Sequence, residues 1–172
     1  MSSNILEIVD AADALLNKHH TRNPFELADI LDINILYQDM KKQKGAYYHV
    51  LKNKFVTLNS NLDDVMKAIV LAHEIGHDRV HRNDLGSGQY AFQEFNLFDM
   101  RANRKEFEAN VFASQILLDS EELLEYVNQG FDIQQIARAM YSDINLVVFK
   151  VDILIAQGYR LRQFERKNDF LK

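Results

Sequence analysis

The stretch that decides the fold is residues 62–82, LDDVMKAIVLAHEIGHDRVHR, which has the apolar spacing of a long amphipathic helix. Inside it lies His73-Glu74-Ile75-Gly76-His77, the pattern HExxH. Residues four apart on a helix lie about 40° from each other around the axis, one turn along. His73 and His77 can therefore turn their imidazoles toward one metal ion.

The same spacing supplies a base beside the two histidines. Glu74 lies next to them, close enough to act on a water at the metal without being a ligand itself. Zinc lowers the pKa of such a water to roughly 7. Glu74 can accept its proton and pass it to a leaving amine, as peptide hydrolysis requires.

A catalytic zinc site has three protein ligands and an open position for water or substrate. Residues 103–117 predict a second helix, on which Glu106 and Asn110 share a face because they are four residues apart. We predict that Glu106 is the third ligand and that Asn110 orients a ligand from behind. Glu108 points about 200° away from Glu106 around the axis and is the weaker alternative.

Two further histidines lie near this pattern. His81 follows His77 by four residues, so it is either a fourth ligand or, as we prefer, a histidine that supports a ligand. His49 lies in a predicted hairpin near the cleft, where a lone histidine is more often a surface residue, and it receives no assignment.

Composition narrows the classes of site and of protein that remain possible. The chain has 172 residues and no cysteine, which excludes disulfides, thiol nucleophiles and thiolate metal sites. It carries 20 Lys and Arg against 25 Asp and Glu, a poor balance for a sequence-independent nucleic-acid binder. No apolar run approaches 18 residues, and residues 1–16 lack the basic region of a signal peptide. We therefore expect a soluble cytoplasmic protein that does not bind membranes.

The rest of the chain predicts an α+β fold with a helical core, a small, mostly antiparallel sheet and a helical C-terminal extension. We expect the segment 83–100 to be an extended, aromatic-rich loop bordering the cleft and helping to choose the substrate. The other predicted elements are helices over 4–19 and 24–31, strands over 33–37, 46–51 and 55–58 with a hairpin turn at 52–54, and three or four short helices within 120–165.

Several of these features occur together in one known family. The chain resembles the ImmA/IrrE metallopeptidases, whose pattern is HExxH followed by E-x-x-A-N-x-F-A and an apolar run. The resemblance covers most of residues 20–120. One departure is Asp119, which follows the apolar run where the family usually has Met-Pro. The matching residues are His73 to His77 with His81, Glu106, Ala109-Asn110, Phe112-Ala113 and Ile116-Leu117-Leu118, preceded by Pro24 to Leu27 and Thr57-Leu58-Asn59.

The resemblance implies a zincin-like fold in which His73, His77 and Glu106 bind zinc and Glu74 is the general acid/base. Members carried by phages and integrative elements are anti-repressors that cleave a helix-turn-helix repressor and so derepress its genes. We accordingly expect a zincin-like peptidase domain over residues 1–118 and a helical extension over 119–172 that packs on it.

Residues 131–158 look like a helix-turn-helix, but their charge argues against direct nucleic-acid binding. Between residues 119 and 158 there are seven acidic side chains and two basic ones, which would repel phosphates. The second helix is apolar and has no row of Arg, Asn or Gln for base edges. We interpret this segment as a packed extension or a protein-docking surface, and the basic residues 160–167 as a solvated end.

Three functions therefore compete. The preferred one is a zinc endopeptidase that cleaves a repressor protein. The second is a non-proteolytic anti-repressor that inactivates the repressor by binding it, with a structural metal; the presence of Glu74 disfavours it, because a structural site needs no base. The third is a DNA-binding regulator, which the acidic C-terminal third disfavours.

Overall fold

The computed structural model describes residues 2–82, 90–94 and 104–161, and within these ranges the chain forms seven helices and a four-stranded sheet. The expected α+β class is confirmed. The helices are α1 (Ser2–His19), α2 (Pro24–Ile30), α3 (Asp64–Val80), α4 (Arg104–Leu117), α5 (Ser120–Asn128), α6 (Ile133–Ala139) and α7 (Ile144–Ala156); the strands are β1 (Ile33–Gln38), β2 (Gly45–Val50), β3 (Asn53–Asn59) and β4 (Tyr90–Glu94).

Side-chain caps explain where several helices begin. The Asp63 carboxylate accepts a hydrogen bond from the Met66 backbone N–H over 2.7 Å and starts α3. Asp132 and Gln135 form a reciprocal capping box at the start of α6. Each cap satisfies N–H groups that the first turn of a helix leaves without a partner.

The sheet is mixed, with the order β1-β3-β2-β4. β2 pairs antiparallel with both β3 and β4, whereas β1 pairs parallel with β3. Two of the three pairings are thus antiparallel, as expected. The hairpin predicted between β2 and β3 is present, but its turn lies earlier than the predicted 52–54: it is at Leu51 and Lys52, whose positive φ angles of 49° and 68° suit a tight turn, and Asn53 already begins β3.

The prediction of an extended loop over 83–100 is wrong in its middle. Residues 90–94 form β4, which extends the sheet by pairing Phe92 with Tyr47 of β2. Its partner strand lies more than forty residues earlier in the chain, so no local pattern reports the pairing. The remainder of that segment and the basic end beyond residue 161 lie outside the described residues.

Two apolar clusters form the core. The first joins α1, α2, the sheet, α3 and α4, and it also includes Phe149 and Ile153 of α7. The second lies among α3, α4, α5, α6 and α7. α7 therefore contributes to both clusters, and the division of the chain at residue 118 stays a prediction. None of the helices in the described part is long and apolar enough to cross a membrane.

A polar network joins the N-terminal region to the end of α4. Arg22 donates to the backbone carbonyls of Gln115 and Ile116 over 2.9 and 3.1 Å, and it pairs with Asp119. The Gln115 side chain donates to Asp13 of α1 and accepts from the buried amine of Lys150 of α7, both over 2.6 Å. Gln115, which belongs to α4, thereby joins this helix to α1 and α7.

Candidate metal centre

The site lies between α3 and α4. The two helices run in opposite directions, as is seen from the contact of His73 with Asn110 and of the later His81 with the earlier Glu108. The two helices approach closely at Gly76. A Cβ built there would be 3.1 Å from the Cα of Ala109 and 3.3 Å from the Cβ of Phe112. Gly76 on α3 and Ala109 on α4 are both small, which allows this approach.

Three predicted side chains meet at the centre of this contact. The Nε2 atoms of His73 and His77 lie 3.0 Å apart, and the Oε2 atom of Glu106 lies 3.1 Å from the first and 3.4 Å from the second. Both histidines are buried, and Glu106 is largely so. Two imidazole nitrogens and one carboxylate oxygen thus form a group that could hold a metal ion.

Asn110 supports the first histidine from behind. Its Oδ1 atom lies 2.9 Å from His73 Nδ1, so the Nδ1–H group donates to the amide oxygen. This leaves Nε2 without a proton and turned toward Glu106 and His77. The expected role of Asn110 as an orienting residue agrees with this contact.

Glu108 does not join the three-residue group. Its Oε2 atom lies 2.9 Å from His81 Nε2, and its Oε1 atom accepts from Arg104 over 2.6 Å. His81 Nδ1 in turn lies 3.0 Å from His77 Nδ1. The angle around α4 separates the two glutamates as expected, and each then contacts a different level of α3. Glu108 is therefore buried and paired with His81. The four-residue spacing of His77 and His81 could have suggested that His81 has a partner of this kind.

Burial controls the ionisation of the groups at the centre. It is the main cause that lowers the pKa of His77 to about 4, so this imidazole is neutral at pH 7, which is the form that binds metals. Burial, and after it the negative charge of Glu106, raises the pKa of Glu74 well above its usual value. Both causes favour the protonated form of this carboxyl group.

Glu74 is fully buried on the sheet side of α3. Neither of its carboxylate oxygens makes a close hydrogen bond to a described residue, although the backbone N–H of Tyr47 is near enough to lower its pKa in part. A Cβ built on Gly45 of β2 would clash with the Val70 side chain and lie 3.0 Å from Glu74 Oε1, so this glycine makes room for both side chains. Sequence reasoning did not single out Gly45, because the requirement comes from packing between two distant elements.

The residue after the second histidine anchors α3 to the sheet. Asp78 is buried, accepts a hydrogen bond from the Tyr47 hydroxyl over 2.6 Å and pairs with Arg82 over 2.6 Å. Lys54 of β3 lies 3.6 Å from the same carboxylate. His49 is half-buried in β2, where its backbone pairs with Lys54, and it is not part of the three-residue group.

Comparison with known proteins agrees with this geometry. The sequence profile of the IrrE N-terminal-like domain, Peptidase_M78, matches residues 28–147. The chain belongs to this family. It is 32% identical over 128 residues to "Uncharacterized immunity region protein 2" of Bacillus phage phi105, covering 74% of this chain and 78% of that protein. It is 29% identical over 149 residues to "Metallopeptidase ImmA" of Bacillus subtilis strain 168, covering 84% and 81%.

The family and the name of the second relative support a metallopeptidase. The structure adds the group of His73, His77 and Glu106, which could hold a metal ion. The family match also includes both α3 and α4, so the two helices that form the centre lie inside the matched region.

Proposed function

We propose that this protein is a zinc-dependent, site-specific endopeptidase in the cytoplasm that cleaves a helix-turn-helix repressor of a phage or integrative element and thereby derepresses its genes. The observation that carries the proposal is the fully buried Glu74 carboxyl group, which lies beside the His73, His77 and Glu106 group. The chain's similarity to an immunity region protein of a phage supports a repressor as the substrate.

The residues present fit a zinc ion. Two neutral imidazoles and one carboxylate are a common catalytic donor set, and three protein ligands leave a position open for water or substrate. When bound, zinc polarises a water molecule and the carbonyl of the peptide bond that is to be cut.

The roles of the protein side chains follow from their surroundings. His73, His77 and Glu106 hold the ion. Glu74 accepts a proton from water and delivers it to the leaving amine, and its raised pKa favours the first of these two transfers. A fully buried carboxyl group is costly to hold in its charged form, which fits a group kept for chemistry and not for stability.

The alternative is an anti-repressor that inactivates its partner by binding it without cutting. The buried Glu74 beside the three-residue group disfavours this reading, since a structural metal site gains nothing from such a group. We also propose that the protein does not act on DNA directly, which rests on the excess of acidic side chains between residues 119 and 158.

The test is co-expression with the repressor encoded beside this gene, with a different tag at each end of the repressor and detection by immunoblot. Glu74→Gln keeps the side-chain shape and removes the base, and it should lower cleavage at least about 100-fold. Glu125→Gln is the matched control, because it makes the same chemical change on the exposed face of α5.

Each result distinguishes the two functions. Shortened repressor with the wild type and Glu125→Gln, and intact repressor with Glu74→Gln, would support the peptidase. Derepression of a reporter by both the wild type and Glu74→Gln, with the repressor intact, would show the binding mechanism. Intact repressor without derepression would overturn the choice of substrate.

A further inference from the structure

A continuous run of polar contacts lies behind His77, on the side away from Glu106. It passes from His77 Nδ1 to His81 Nδ1 over 3.0 Å and from His81 Nε2 to Glu108 Oε2 over 2.9 Å. It ends at Arg104, whose Nε donates to Glu108 Oε1 over 2.6 Å. His77, His81 and Glu108 are buried, and Arg104 is exposed. The run thus reaches from the protein surface to the back of a ligand.

Metal binding would give every hydrogen in this run a single position. The Nε2 atom of His77 faces His73 and Glu106, so a metal takes that nitrogen and the ring proton stays on Nδ1. The Nδ1–H group then donates to His81 Nδ1, which must be without a proton. The proton of His81 therefore lies on Nε2, where it donates to Glu108.

We propose that Arg104, Glu108 and His81 form a positioning chain that fixes the tautomer and the ring orientation of His77 and so strengthens its bond to zinc. The proposal rests on the proposed function, because it takes His77 as a metal ligand. Asn110 holds His73 in the corresponding way, through one hydrogen bond to Nδ1. Groups that orient a ligand histidine in this manner also raise its basicity toward the metal.

The positioning chain explains why α4 carries two glutamates only two residues apart. Glu106 reaches the centre directly, whereas Glu108 acts through His81. The carboxylate favours a donor on His81 Nε2, and the guanidinium of Arg104 holds that carboxylate in place. His81 is accordingly a positioning residue and does not touch the ion.

The first test is zinc affinity, measured by titrating the metal-free full chain against a chromophoric chelator. His81→Phe keeps a ring and removes both nitrogens, and it should weaken zinc binding about 10- to 100-fold. Glu108→Gln should weaken zinc binding less than His81→Phe does, since an amide oxygen still accepts from His81. Arg104→Gln should weaken it less than Glu108→Gln does. Ile116→Val is the control: it removes one buried methyl group from the same helix, outside the positioning chain.

The second test reads the tautomer directly. In the zinc-loaded wild type labelled with ¹⁵N-histidine, His77 should carry its proton on Nδ1 and His81 on Nε2, both slow to exchange with water. His81→Phe should remove the protection of the His77 proton. A role in packing alone would leave that proton and the zinc affinity unchanged. If His81→Phe does not fold, the zinc affinity and the protection of the His77 proton are both measured on Glu108→Gln.

The outcomes separate this proposal from the proposed function. Equal zinc affinity for the wild type, His81→Phe and Glu108→Gln would overturn the positioning chain and leave the peptidase intact. The same weakening in Ile116→Val as in His81→Phe would overturn it too, because general loss of stability would then account for both. A wild type that binds no zinc would overturn the positioning chain and the zinc site together.

Discussion

Lys150 places a titratable amine in the core, and its surroundings predict an unusual dependence of stability on pH. The side chain is fully buried in α7 and donates to Gln115 Oε1 over 2.6 Å. Burial is the main cause that lowers its pKa from 10.5 to about 8, and the charge of Arg22 adds to the shift. Asp13 and Asp119 oppose it in part.

The sign follows from proton binding in the two states. The amine of the unfolded chain has a pKa near 10.5, so between pH 8 and 10.5 the unfolded chain binds more protons than the folded protein. The free energy of unfolding therefore rises with pH in this window. The cost of the buried charge is complete below pH 8 and is relieved as the pH rises through both pKa values. From pH 7 to pH 9.5 the gain is about 2 kcal/mol.

The assay is urea unfolding of the metal-free protein at several pH values between 7 and 9.5, with Lys150→Met as the reference. Methionine fills similar space without an amine, and all other titrating groups are shared by the two proteins. The wild type should gain about 2 kcal/mol relative to Lys150→Met across this range. A difference that stays constant with pH would refute the reasoning, because it would show that the folded protein keeps this amine at its ordinary pKa.

Three other substitutions have expected outcomes. Gly76→Ala places a Cβ 3.1 Å from the backbone of Ala109, so α3 and α4 must separate; we expect about 1–3 kcal/mol of overpacking and weaker zinc binding in chelator competition, and unchanged affinity would contradict it. Gly45→Ala drives a Cβ into the Val70 side chain and to 3.0 Å from Glu74 Oε1; it should lower the free energy of unfolding in urea and slow repressor cleavage, and wild-type values of both would contradict it. Asp132→Ala removes the capping box of α6; urea unfolding should show a loss of about 1 kcal/mol, with cleavage rates unaffected.

The central residues of the site could be predicted from the sequence because spacing along a helix gives the angle between side chains around its axis. His73 and His77 share a face, as do Glu106 and Asn110, and the structure brings these four side chains together. Their roles as ligands, base and orienting group stay proposals.

What sequence reasoning missed depends on packing between distant elements. β4 pairs with a strand far away in the chain, and the hairpin turn lies at Leu51 and Lys52, earlier than the predicted 52–54. The contact of Glu108 with His81 depends on the level at which two helices face each other, which an angle around one helix does not give. The need for Gly45 arises in the same way, from the approach of a strand to Glu74.

The network around Gln115 has a consequence for the smallest unit that can fold. The region shared with the family, residues 28–147, omits α1, Arg22 and most of α7. Those parts cover the face of α4 opposite the metal centre and close its C-terminal end. A chain cut to the shared region would expose that face to water and leave the last carbonyls of α4 without the guanidinium. In this protein the segment that matches the family model is therefore shorter than the unit that packs together, and α1 and α7 support the helix that carries Glu106.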